Sequence, residues 1–154
     1  MKSPSKFTIR RATQADVQTL VSLMREFHAE SSYTLDQARA ERAFTELLAH
    51  PEIGAVWVAD QDETRAGYVV LTGRYSMDRG ALDGHIEDLF VRPRFRRRGI
   101  GSALLAAIID EAGSSRELHV EVAGGDAPAN ALYKHCGFEA PSDGRVFLRR
   151  RIDE

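Results

Sequence analysis

A chain of 154 residues with a formal net charge of -2 carries no global attraction to nucleic acid or to an anionic membrane. Its apolar fraction of 43% and its charged fraction of 29% are ordinary for a soluble globular protein, and no apolar run reaches membrane-spanning length. The single cysteine, Cys136, permits no internal disulfide and fits a reducing cytoplasm, where we expect the protein to reside. We predict one domain over residues 7–154, preceded by a short N-terminal extension over residues 1–6.

The predicted elements follow from apolar periodicity and from turn residues. In chain order they are a strand at 7–10, a helix ending near 29, a helix after 34–37, a hairpin of strands at 55–59 and 67–72, a flexible polar segment at 74–84, a strand at 85–91, a helix at 99–112, a strand at 118–122, a short helix at 129–135 and a final hairpin over 137–148. Thr13-x-x-Asp16 and Thr34-x-x-Gln37 have capping-box spacing, so we expect them to begin the first two helices. This order predicts an α/β protein with a mixed sheet and helices on both faces.

The stretch from His85 to Leu105, HIEDLFVRPRFRRRGIGSALL, predicts a strand, a basic turn and a helix start. A helix start offers backbone N–H groups and the positive end of a dipole to an anion. Gly99 and Gly101 have no side chain that would keep a phosphate away, and arginines beside them can fork onto phosphate oxygens. The Gly-Lys-Ser/Thr of a nucleotide triphosphate loop and the third glycine of a dinucleotide fingerprint are both missing. We interpret the turn as a pyrophosphate site.

Two motifs resemble those of the GNAT superfamily of N-acetyltransferases. Arg96-x-x-Gly99-x-Gly101, preceded by Val91-x-Pro93, resembles the family's acetyl-CoA-binding motif, and Ala129-x-x-x-Tyr133-x-x-x-Gly137-Phe138 resembles its C-terminal motif. The order of elements over residues 7–150 also matches the family. One departure is Asp126, which stands where the family often has an Asn that contacts the pantetheine or supports the helix start; an Asp can still cap the helix. The resemblance implies the GNAT fold with about six to seven strands, acetyl-CoA as acyl-donor cosubstrate, no metal, and a homodimer.

The resemblance also implies the residues that bind the cofactor. The backbone of one strand would hold the pantetheine arm, and the basic turn with the helix start would hold the phosphates. The residues concerned are Leu89, Phe90, Val91, Arg96, Arg97, Arg98, Gly99, Ile100, Gly101 and Ser102.

For catalysis, the resemblance implies Glu87 as the base that takes the amine proton and Tyr133 as the acid that protonates the CoA thiolate. A carboxylate in an apolar strand is expensive to bury without a task, although the polar face of a half-exposed strand would also explain Glu87. Asp88 would point to the opposite face in a regular strand, and a bulge would remove that alternation. The five histidines show no metal-ligand spacing.

The acceptor is predicted to be a primary amine of a small molecule. Candidate substrate-binding residues are Glu30, Tyr33, His85 and Asp88. In the family, the loop after the first helix, the segment at 74–84 and the C-terminal hairpin wall the acceptor site. Their acidic residues here, Glu30, Asp78, Asp83 and Asp143, would suit a cationic amine such as a polyamine, an amino acid or an aminoglycoside. The strand around Glu87 and Asp88 resembles that of spermidine/spermine acetyltransferases. Acetylation of a protein or peptide amine and a non-catalytic CoA-binding module are the alternatives. A nucleic-acid binder that uses the arginines at 92–98 is disfavoured by the net charge.

Overall fold

The computed structural model describes residues 6–112 and 117–152. Within them lie five strands and four α-helices. They are β1 (Phe7–Arg11), α1 (Val17–Ala29), α2 (Gln37–Ala49), β2 (Gly54–Gln61), β3 (Thr64–Ser76), β4 (Ala81–Val91), α3 (Ile100–Ala112), β5 (Leu118–Val120) and α4 (Ala127–His135). No helix in the described parts of the chain is long and apolar enough to cross a membrane.

The strands form one mixed sheet in the order β1-β2-β3-β4-β5. The first four strands pair antiparallel, whereas β4 and β5 pair parallel, and α3 connects them. A parallel pair needs such a crossover connection because the chain must return to the same end of the sheet. The α/β class and the mixed sheet with helices are confirmed.

The chain divides into two compact units, Met1–Glu121 and Val122–Glu154. The first holds the sheet and α1 to α3; the second holds α4 and the C-terminal segment. The final hairpin predicted over 137–148 is absent, since residues 138–152 contain no helix or strand. The sheet of the described residues therefore has five strands rather than six or seven. A lone two-stranded hairpin is marginal in water unless its apolar face packs, and Val146, Phe147 and Leu148 are 78% to 86% exposed.

Both faces of the first unit's sheet are covered. Side chains of α1 and α2 pack on the face that presents Val56, Val58, Tyr68, Val70 and Phe90. The opposite face presents buried residues of the other parity, among them Val69, and α3 packs over β1 to β4 there. Because alternate residues of a strand point to opposite faces, one strand packs side chains both under α1 and α2 and under α3.

Two local predictions need correction. Residues 74–84, expected to be flexible, continue β3 and β4 as a paired hairpin that closes at Ser76 and Ala81. Their polar composition reflects a mostly exposed hairpin end, in which the buried Asp83 pairs with Arg79. The cap of α2 is Asp36, whose carboxylate accepts the Arg39 N–H at 3.1 Å. Asp36 lies two residues nearer the helix than Thr34 does, so its carboxylate is the better placed acceptor. At the other predicted box, Asp16 accepts the Thr13 N–H at 2.8 Å.

Candidate active site

A β-bulge in β4 centres on Glu87. Across the β3–β4 ladder, Val70 faces Asp88 while the next residue, Leu71, faces Ile86, so Glu87 is an extra residue without a partner. An extra residue of this kind locally bends the strand and re-aims side chains. The alternation that would separate Glu87 from Asp88 is therefore interrupted between them.

The hydrogen bonds of the two carboxylates place them on one face of the sheet. Thr72 Oγ1 donates to Glu87 Oε1 at 2.8 Å, and the Tyr68 hydroxyl donates to Asp88 Oδ2 at 2.9 Å. Tyr68 and Thr72 are four residues apart on β3 and so share a face, the one that α1 and α2 cover. Glu87 is exposed, whereas Asp88 is partly buried. The alternation expected of a regular strand would have separated Asp88 from Glu87, and the bulge removes it.

The surroundings of Asp88 shift the pKa of its carboxyl upward. Burial raises the pKa of the Asp88 carboxyl above its ordinary value, and the charge of Glu87 adds to the rise; the Tyr68 hydroxyl bond and the charge of His28 oppose it. Burial and the Asp88 carboxylate raise the pKa of Tyr68 well above its usual range, so this hydroxyl remains a donor. Titratable groups with strongly shifted pKa values are frequent at functional sites.

The remaining predicted acceptor residues lie in two places. His85 pairs with Thr72 across the ladder and thus lies on the face that carries Glu87 and Asp88. Glu30 caps the C-terminus of α1, and its carboxylate pairs with Arg96 at 2.5 Å. Tyr33 follows in the loop, 71% exposed, with its ring 6.5 Å from the ring of His28.

The edge of β4 beside β5 is open over most of its length. The parallel ladder joins only Gly84, His85 and Ile86 to β5. Within the described residues, no strand pairs with β4 on that side from Glu87 to Val91. Unpaired strand edges present backbone N–H and C=O groups to an added chain. The predicted pantetheine-binding residues, Leu89, Phe90 and Val91, all belong to this open edge.

The basic turn after β4 ends in the first turn of α3. Arg97 and Gly99 both adopt left-handed backbone conformations, with φ of 63° and 84°. Gly99 tolerates this conformation without strain, and a Cβ built on it would meet no atom within 4 Å. Ile100, Gly101 and Ser102 form the start of the helix. The predicted strand, turn and helix start are thus observed, in the order that an anion site requires.

The three arginines of the predicted phosphate site differ in their contacts. Arg96 donates from Nε to the Val91 carbonyl at 2.8 Å and pairs with Glu30, so it links the turn to the end of α1. Arg98 lies over the Phe95 ring, 5.8 Å from its centroid, and Arg97 is exposed. Arg97 and Arg98 are accordingly the more available for a ligand at the helix start.

Tyr133 belongs to the second unit. It lies in α4, is 8% exposed, and its ring is 5.4 Å from that of Phe138 in an edge-on arrangement. Gly137 follows the helix at φ 92°, so the predicted break at Gly-Phe is observed. Asp126 caps α4 by accepting the Ala129 N–H at 3.1 Å, as expected.

One group of potential metal ligands is assembled that sequence spacing did not indicate. Carboxylates of Asp83 and Glu117 and the His119 ring offer ligand atoms within 4.8 Å of one another. Arg79, however, bonds to both carboxylates, and it lowers the pKa of Asp83 to about 2. A guanidinium already occupies the space between the two carboxylates as their ion-pair partner.

A surface cavity of about 200 Å³ in the first unit contains none of the predicted site residues. Trp57 and the Arg11–Glu111 ion pair line part of it. Thr72 and Asp83 also line it, whereas Glu87 and Asp88 do not.

Sequence reasoning missed Tyr68, Thr72 and His28. Tyr68 and Thr72 lie on a strand that the sequence predicted only as one arm of a hairpin, and nothing in its pattern separates a tyrosine that packs from one that donates to a carboxylate. The register of β3 against β4 was the missing information.

Comparisons with known proteins agree with this geometry. The model of the acetyltransferase (GNAT) family matches residues 18–138. An aminoglycoside N(6')-acetyltransferase type 1 from Stenotrophomonas maltophilia is 32% identical over 153 residues, which cover 95% of this chain and 94% of that protein. An N-alpha-acetyltransferase from Sulfurisphaera tokodaii is 28% identical over 147 residues, which cover 90% of this chain and 83% of that protein.

Among solved structures, an integron cassette protein from the mobile metagenome of Cole Harbour Salt Marsh superposes with a TM-score of 0.83. It is 36% identical, and the match covers 95% of this chain and 91% of the other. The family model covers well over half of the chain, and its members use acetyl-CoA. The chain belongs to the GNAT family and is an N-acetyltransferase.

Proposed function

We propose that this protein transfers the acetyl group of acetyl-CoA to a primary amine of a small cationic molecule. The observation that carries the proposal is the pair of carboxylates, Glu87 and Asp88, on one face of a bulged strand. Within the described residues, neither is paired with an arginine or a lysine. Neither carboxylate thus has a guanidinium or ammonium partner, and this uncompensated pair can attract a cation.

Acetyl-CoA would bind along the open edge of β4 and at the start of α3. The backbone of Leu89, Phe90 and Val91 would pair with the amide groups of the pantetheine arm. The N–H groups of the first turn of α3, together with Arg97 and Arg98, would hold the phosphates. Arg96 would complete this site by holding the turn against Glu30.

The amine would attack the thioester directly in a ternary complex. Glu87 would receive the proton of the acceptor ammonium, and Tyr133 would protonate the departing thiolate. Backbone N–H groups of the open strand would polarise the thioester carbonyl. His85, Asp88, Glu30 and Tyr33 would contact the acceptor.

The relatives name two kinds of acceptor. The Stenotrophomonas maltophilia protein is called an aminoglycoside acetyltransferase, and the Sulfurisphaera tokodaii protein an N-alpha-acetyltransferase. We favour a small cationic amine because of the uncompensated carboxylates. A peptide α-amine is the second candidate, supported by the second relative.

The test is an acetyl-CoA assay that reads thiol release with a panel of aminoglycosides, polyamines, amino acids and short peptides. We expect turnover with small polycationic amines and little with peptides. Faster turnover with peptide α-amines would replace the proposed substrate class. Thiol release with none of these amines would argue for a CoA-binding module.

CoA binding is tested separately by calorimetry. Gly101→Asp places a carboxylate at the helix start and should abolish binding, because it repels the phosphates. Gly125→Asp, in a loop where a Cβ meets no atom within 4 Å, is the matched control and should bind normally. Unchanged affinity in a folded Gly101→Asp protein would contradict the proposed phosphate site.

We further propose a homodimer. The exposed apolar residues Val146, Phe147 and Leu148 are available to form a contact between copies. Light scattering at micromolar concentration should give twice the mass of the chain, and a monomer mass would contradict this proposal.

A further inference from the structure

The bulge gives the site an outer and an inner carboxylate, each with its own hydroxyl donor on β3. Exposed Glu87 accepts from Thr72 at 2.8 Å, and partly buried Asp88 accepts from Tyr68 at 2.9 Å. Tyr68 has no exposed surface at all and adjoins the aromatic rings of Phe44 and Phe90. A buried hydroxyl whose ring is held by packing orients its acceptor more firmly than an exposed one.

We propose that Asp88 is a second catalytic carboxylate, which shares with Glu87 the proton released by the acceptor ammonium, and that Tyr68 is its positioning residue. The inference rests on the proposed acetylation of an amine. It deepens that proposal, because the proton acceptor becomes a pair of side chains instead of Glu87 alone.

Electrostatics support a shared proton. Two neighbouring carboxylates cannot both remain charged without cost, so the pair binds one proton more readily than an isolated carboxylate does. The titratable groups described around Asp88 are Tyr68 from β3, His28 from α1 and Glu87 from its own strand. Burial and Glu87 raise the pKa of Asp88, while Tyr68 and His28 lower it. An acid–base group works best when its pKa approaches the working pH.

The proposed reaction releases one proton overall. One proton passes from the acceptor ammonium to the carboxylate pair and leaves a neutral amine. As the amine nitrogen attacks, the N–C bond forms and the C–S bond breaks. The thiolate gains one proton and the nitrogen loses its surplus proton, so these two transfers cancel. The products are the amide and the CoA thiol, and the proton on the pair leaves for solvent.

The first experiment measures the pH dependence of kcat/KM for Tyr68→Phe, with the amine that the panel identifies. The variant removes the hydroxyl bond that stabilises the charged form of Asp88. The acidic limb should therefore move to higher pH, by about half a unit to one unit, while the plateau at high pH is retained. Tyr75→Phe, an exposed tyrosine on the same strand, is the matched control and should leave the limb in place.

Further variants test whether the proton is shared. Thr72→Val removes the corresponding hydroxyl from Glu87 and should move the limb in the same direction. Asp88→Asn should lower kcat/KM by about 10- to 100-fold. If Tyr68→Phe lowers kcat/KM by the same factor at every pH, Tyr68 has only a structural role and the inference is overturned. Full activity and an unshifted limb in a folded Asp88→Asn protein would overturn it as well.

A readout without substrate separates this inference from the proposed function. Carbon-13 NMR titration of the side-chain carboxyl groups in the free protein should show Asp88 titrating above an ordinary aspartate, and higher still in Tyr68→Phe. If Asp88 titrates like an ordinary aspartate and its pKa does not change in Tyr68→Phe, the inference is overturned even if amines are acetylated. Absence of amine turnover with the shifted titration intact would refute the proposed function and leave the coupling of Asp88 to Tyr68 standing.

Discussion

Two pairs of acidic residues lie near the face of the sheet that α1 and α2 cover, and their hydrogen-bond donors differ in charge. Asp16 and Asp60 bond to Arg10, and Arg65 lies 3.2 Å from Asp60. Glu87 and Asp88 bond only to hydroxyls in the described structure. The side chain of Asp16 is 5% exposed, so both pairs include a buried or partly buried carboxylate.

The pKa values move in opposite directions. The hydrogen bond from Arg10 is the largest influence on Asp16 and lowers its pKa to about 2, against the effect of burial. At Asp88 burial is the largest influence and raises the pKa. An arginine pair holds a carboxylate charged and in place, whereas hydroxyl donors leave it able to accept a proton. We interpret the first pair as structural and the second as functional.

The largest effect that would test this comparison is on turnover. Glu87→Gln should lower kcat by about 100-fold, because it removes a proton acceptor, and should do so most at low pH, where the amine arrives protonated. Its free energy of unfolding should stay within about 0.5 kcal/mol of the native value, since the residue is exposed. Glu63→Gln, in an exposed turn, is the control for both measurements. Near-full turnover across the pH range in Glu87→Gln would remove Glu87 from the mechanism.

Asp16→Asn should have the converse effect. It leaves Arg10 and Arg65 without their buried partner, and we expect a loss of about 2–3 kcal/mol in the free energy of unfolding. This is below the cost of breaking a fully buried pair because Arg10 remains 35% exposed and partly solvated. Urea denaturation measures the loss, with exposed Asp110→Asn as control, and kcat of the folded variant should be unchanged. Equal stability in Asp16→Asn and Asp110→Asn would contradict a structural role for the arginine network.

The stability that Asp16 contributes should depend on pH with a known sign. Its pKa is about 2 in the folded protein and about 3.9 in an unfolded chain, so the contribution is present above about pH 4 and is lost as the pH falls toward 2. Denaturation at pH 6, 4, 3 and 2.5 should show the gap between native protein and Asp16→Asn closing across this window. Asp83 also titrates there, so the difference between the two proteins, rather than the native curve alone, isolates Asp16. A gap that stays constant down to pH 2.5 would contradict the lowered pKa.

The smallest expected effect concerns a carboxylate that neither catalyses nor belongs to an ion-pair network. Asp36→Ala removes the acceptor that caps α2 and should cost about 1 kcal/mol. Thr34→Ala, at the position that sequence spacing favoured, should change stability by only a few tenths of a kcal/mol. If the two losses are reversed, Thr34 caps the helix in solution.

Local patterns determined the identity and order of most elements. Apolar periodicity located α1, α2 and α3, and the run from His85 to Gly101 identified the strand, the turn and the helix start, because these signals depend on neighbours within a few residues. The hairpin ends at 74–84 and the absent final hairpin were not predictable in this way. Strand pairing depends on a partner distant in sequence, and polar composition does not distinguish an exposed ladder from a loop.

The candidate site likewise has features that the sequence predicted and features that only the structure shows. From the sequence, a carboxylate in an apolar strand together with the family resemblance favoured Glu87, and glycines beside arginines at a helix start favoured the turn as the phosphate site. Only the tertiary structure decided that Glu87 and Asp88 face the same way, that Tyr68 and Thr72 are their donors, and that Arg96 is engaged by Glu30. The physical reason is register: a single extra residue at the bulge redirects a side chain, and its position is set by the facing strand.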